Sequence, residues 1–156
     1  MQQTDAPGLV PQAKRILEEH RQLQERLEKI RSALSAPRES ERAAVWLSDL
    51  AACLRELLPF LRAHFDQEEE GGLFERIQEV WPHAARACTR LQGEHGALLA
   101  RLESLGAECE KAPLAEEELL SLAVRVRSLS ADLASHEGRE NELLCGSLDD
   151  AVAAQD

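Results

Sequence analysis

Arg62-Ala-His64-Phe-Asp-Gln-Glu68-Glu69-Glu70 sets an imidazole and a carboxylate four residues apart, which on an α-helix places them on neighbouring turns of one face. The same spacing returns in Ser135-His136-Glu-Gly-Arg-Glu140-Asn. Outward from the first stretch, Trp46, Leu50, Cys53, Leu57 and Leu61 lead into His64 and Glu68 by steps of three and four. The His and the Glu therefore stand in the apolar stripe of a helix that ends at about Glu70.

Three more segments carry the same period. The first helix runs from about Val10 to Leu34 through Ala13, Ile16, Leu17, His20, Leu23, Leu27 and Ile30, with His20 inside the stripe. Ala36-Pro37 breaks it, and Ser40 or the loop before it caps the second helix. Pro59 removes the bond to the Arg55 carbonyl and predicts a kink one turn before His64. Gly71-Gly72 ends that helix, and the short apolar segment from Leu73-Phe74 to Trp81 covers the end of the array. Pro82 suits the first turn of a third helix that reaches Cys109 through Ala84, Cys88, Leu91, His95, Leu98, Leu102 and Leu105. Gly106, the polar run from Glu108 and Pro113 mark the last connection. Glu116-Glu117-Glu118 favour a helix start through the macrodipole, and the fourth helix carries Leu122, Val126, Leu129, Leu133, His136, Glu140 and Leu143. It is expected to stop near Gly146. The fold class that follows is all-α, an up-down-up-down four-helix bundle with a metal site in its core. Its expected bounds are residues 9–146, between a tail at 1–8 and an acidic tail at 147–156.

Composition narrows the function. At 156 residues and 44% hydrophobic content the chain supports one domain with a sizeable core. Twenty-nine acidic against 18 basic residues leave a charge of −11, which argues against nucleic acid or an anionic membrane as partner. No apolar run reaches membrane-spanning length and Met1-Gln-Gln-Thr-Asp-Ala-Pro lacks a signal-peptide pattern, so the expected location is cytoplasmic. Cys53, Cys88, Cys109 and Cys145 are scattered without a C-x-x-C and are expected as thiols, the first two packed as small apolar groups. There is no tyrosine to serve as ligand or radical carrier.

Counting along antiparallel helices at about 1.5 Å per residue puts His20, His64, His95 and His136 at roughly 9 to 18 Å from the same end. They form one layer. A stripe covers about a third of a helix, so four histidines falling in four stripes by chance is roughly a one-in-a-hundred event. Two carboxylates, Glu68 and Glu140, facing the same core need compensating charge, which a pair of metal ions supplies. Neutral imidazoles with carboxylates suit iron or manganese, whereas structural zinc more often recruits thiolates. The Glu-x-x-His of ferritin-like proteins is absent, since Leu17, Leu61, Gln92 and Leu133 stand three before the histidines. His83, at a helix start, reads as surface.

The set His20, His64-x-x-x-Glu68, His95 and His136-x-x-x-Glu140 resembles the hemerythrin-like, HHE cation-binding family over about Val10 to Cys145. That resemblance implies two Fe ions with an oxo or hydroxo bridge, Glu68 and Glu140 as bridging carboxylates, and the four histidines as terminal nitrogens. Oxygen-carrying members have a further histidine four residues from the one on the third helix, where this chain has Leu91 and Leu99. The implied function is reaction with peroxide, dioxygen or nitric oxide at an open iron position, in oxidative or nitrosative stress or iron-centre repair. As an enzyme it would be a peroxidase, a catalase-like protein or a nitric oxide-handling oxidoreductase. The alternative is an iron- or oxygen-sensing module without turnover. Small molecules, dioxygen, peroxide or nitric oxide, are the partners implied, and the sequence names no protein partner.

Overall fold

The computed structural model describes residues 8–35, 42–111 and 114–153. Expectations placed on residues 1–7, on Ala36-Pro37 and Ser40, on Pro113 and on residues 154–156 lie outside them. Among the described residues there are five α-helices and one 3-10 turn: α1 (Leu9–Ser35), α2 (Ala43–Glu70), α3 (Leu73–Val80), the 3-10 turn Pro82–Ala84, α4 (Ala85–Cys109) and α5 (Glu116–Ala153). No strand occurs among the described residues.

The four long helices are those the apolar period predicts, and each buries its stripe. In α1 the buried side chains are Leu9, Ala13, Ile16, His20, Leu23, Leu27, Ile30 and Leu34. Helix α2 runs unbroken through Pro59. Ion pairs fix the direction of neighbours. Glu19 meets His64 while Lys29 meets Glu56, and Glu69 meets His95 while Arg55 meets Glu110, so α2 runs against both α1 and α4. Glu94 with Arg139 and Glu108 with Arg125 do the same for α4 and α5.

The fifth helix lies where the sequence suggests only an apolar cover. Leu73, Phe74 and Ile77 are buried on one face of α3, which packs against all four long helices. The turn before it depends on Gly72, whose φ of 70° is a left-handed conformation that side-chain-bearing residues rarely adopt. Gln12 and Arg76 both donate to the Gly71 carbonyl and tie this turn to α1 and α3.

Helix α5 departs from expectation at its end. It passes through Gly146 and continues to Ala153, so residues 147–153 are helical. Gly146 is a place of close approach: a Cβ there would stand 2.6 Å from the Trp81 ring. The core has two parts. One holds Leu23 to Leu34, most of α2, and Leu98 to Leu133, while the other gathers Leu9, Ala13, Ile16, the α3 face, Cys88, Leu91, Leu143 and Leu144. A polar layer lies between them. Among the described residues no helix is long and apolar enough to cross a membrane.

Candidate metal centre

The polar layer consists of the six residues singled out from the sequence. His20 comes from α1, His64 and Glu68 from α2, His95 from α4, and His136 and Glu140 from α5, and none is more than 3% exposed. Helical spacing brings each His–Glu pair together: His64 Nε2 lies 2.6 Å from Glu68 Oε1, and His136 Nε2 lies 2.8 Å from Glu140 Oε1. Across helices, His20 Nε2 is 2.9 Å from Glu140 and His95 Nε2 is 3.2 Å from Glu68. Two groups could each hold a cation: His20, His64, Glu68 and Glu140, and Glu68, His95, His136 and Glu140. Both carboxylates belong to both groups. His83 is exposed, edge-on to Trp81 and outside the layer.

Each imidazole is held from behind. His20 Nδ1 donates to Asn141 Oδ1 at 2.6 Å, His64 Nδ1 to Glu19 at 3.0 Å, His95 Nδ1 to Glu69 at 3.1 Å, and His136 Nδ1 to Glu94 at 2.7 Å. The four tethers close a ring. α1 supplies the partner for the histidine of α2, α2 for α4, α4 for α5, and α5 for α1. Glu94 is anchored in turn by both terminal nitrogens of Arg139, at 2.8 and 2.9 Å.

Oxygen acceptors behind every ring fix the proton on Nδ1, and this leaves Nε2 as the lone pair directed inward. Inside the layer, acceptor then faces acceptor. His20 Nε2, His136 Nε2, both Glu68 oxygens and Glu140 Oε2 have no hydrogen-bond partner although fully buried. Such a cluster requires positive charge at its centre, as protons or as metal cations. Without metal, protons do this. Burial pulls the His20 ring down, but the Glu140 and Glu68 carboxylates beside it outweigh burial and raise it to about 10. His64 and His95 are likewise raised to about 9, against burial, by Glu19 and Glu68 and by Glu140 and Glu68. Burial pushes the Glu68 carboxyl up, yet His20, His64 and His95 hold it below the usual range, and Glu140 is held well below by His136, His20 and His95. The donor set thus fits a divalent cation, whose charge would replace those protons.

Phe65 walls the layer on one side, stacked on His95 at 3.8 Å between centroids and 5° between planes. Leu91, one turn from His95, is buried in the cluster that includes the α3 face, and Leu99 packs on the other. Neither offers a donor. Cys88 and Cys109 are buried, and burial pushes both thiols up to about 11, consistent with small apolar groups. Cys145 is exposed.

The tethers were the part least visible in sequence. Glu19, Glu69, Glu94 and Asn141 lie outside the apolar stripes that mark the layer residues. The signal was adjacency: every tether is the immediate chain neighbour of a layer residue, serving the histidine of the next long helix.

A helical domain with buried groups of imidazoles and carboxylates able to hold cations is a cation-binding domain of the all-α class. The family described as Hemerythrin HHE cation binding domain matches residues 12–148, and the chain belongs to it. Neither curated proteins nor solved structures gave a match.

Proposed function

We propose that the chain is a non-haem di-iron protein of hemerythrin type, in which the four long helices act as an up-down-up-down four-helix bundle around two Fe ions. Glu68 and Glu140 would be shared by both ions, with His20 and His64 on one and His95 and His136 on the other. The observation that carries this reading is the pair of overlapping donor groups with both carboxylates in common. Bound iron supplies a redox-active Lewis acid with open positions, the donor pattern of non-haem iron that accepts peroxide, dioxygen or nitric oxide. The chain's own residues hold the imidazoles in one tautomer, keep water out through Phe65 and the two leucine clusters, and leave the Leu91 side without a fifth imidazole.

Elemental analysis of protein produced with ample iron tests the first half, with close to two Fe per chain expected and a value well below one overturning it. The reduced, loaded protein mixed with peroxide or nitric oxide tests the second. Consumption over many cycles supports a reacting protein, whereas full iron content with no consumption shifts the reading to a sensing module.

A further inference from the structure

Six ligands with no more than 3% exposure cannot be reached from solvent directly, so a cation has to pass through protein. It must also exchange its waters for other oxygen donors on the way. A cavity of about 260 Å³ between α1 and α5 offers such donors, lined among others by Gln24, Glu28, Glu137 and Asn141. Arg31 on its rim is paired with Glu28 at 2.7 Å, so the charge left over is that of Glu137.

Glu137 has no part in either donor group. It is 2% exposed, and its Oε1 has no hydrogen-bond partner, a costly arrangement for a carboxylate with only a structural task. The exposed Gln24 lines the same cavity. Asn141, half-buried, lines the same cavity and is the tether of His20. An exposed amide oxygen, a buried carboxylate and the tether of a layer histidine therefore line one cavity.

We propose that this cavity is the path by which a divalent metal cation reaches the centre, and that Glu137 is the transit carboxylate that receives it from Gln24 and passes it to the His20 side. The inference rests on the metal-binding reading above. It assigns Glu137 to loading and not to the finished site.

Metal-free full-length protein mixed anaerobically with ferrous iron, or with cobalt(II) as a coloured probe, reports uptake rate and final content separately. Glu137→Gln should slow uptake by about tenfold or more, the scale on which a single-sign cleft raises capture rates, while final content and the melting temperature of the loaded protein stay unchanged. Gln24→Leu, at an exposed position, should slow it less and guards against a folding defect in the first variant. Glu142→Gln, an exposed carboxylate that lines a different cavity, should load at the unaltered rate. An unchanged rate in Glu137→Gln overturns the path. A loss of final content in that variant also overturns it, because Glu137 would then be a ligand. If the unaltered protein takes up no cation, the di-iron reading itself falls.

Discussion

At the scale of single residues, a histidine in this layer meets two demands, a lone pair aimed inward and a proton aimed outward. The tether satisfies the second and so makes Nε2 the nitrogen that faces the layer. Asn141 is the informative case, since its neutral amide supplies the acceptor that glutamate supplies to the other three rings. Asn141→Ala removes the acceptor and frees the His20 ring to turn; the expected result is a loss of cation affinity of about 10- to 100-fold, measured by competition with a coloured chelator. Asn141→Asp keeps an acceptor and should retain most of the affinity. The candidate ligands could be read from sequence because His64 and Glu68, or His136 and Glu140, lie in a stripe where any polar residue stands out. Glu19, Glu69 and Glu94 could not, because they sit at the edge of the stripe among 22 glutamates, most of them on wet faces.

Among the elements, the end of α5 shows how a local signal can mislead. A glycine close to an acidic C-terminal stretch resembles a helix stop, but at Gly146 the missing side chain makes room for Trp81, which lies 65 residues earlier and whose position no local pattern reveals. Gly106 on α4 is the counter-example, with nothing within 4 Å of an added Cβ. Gly106→Ala should therefore stabilise the protein by about 0.5 to 1 kcal/mol through helix propensity. Gly146→Leu should destabilise it by about 1 to 3 kcal/mol as the ring is displaced, with a change in tryptophan emission. Chemical denaturation of the two variants beside the unaltered protein measures both. Helix α3 was also beyond the reach of periodicity, since eight residues give little more than two turns of pattern.

For the molecule as a whole, the layer buries titratable groups between two apolar clusters, so its charge state contributes to how folding depends on pH. In the metal-free protein His20 is raised to about 10, and His64 and His95 to about 9, by carboxylates that outweigh burial. A raised histidine binds more protons folded than unfolded between its ordinary value of about 6.5 and its folded value, so stability falls as pH rises through that window. Glu68 and Glu140 are lowered, so their contribution is present above their ordinary range and fades as pH drops through their folded values. The contribution of this layer to metal-free stability should therefore be greatest on the acid side of neutrality and decline toward pH 9. Metal reverses the sign, because a cation needs Nε2 free of its proton and competes with protons less as pH rises. Melting curves with and without iron, taken anaerobically between pH 6 and 9, should thus diverge with increasing pH, and loading at pH 7.5 in weak buffer should release about three protons, one from each raised histidine. Curves that run parallel across that range, with no acidification on loading, would show that the layer's histidines are uncharged before metal arrives.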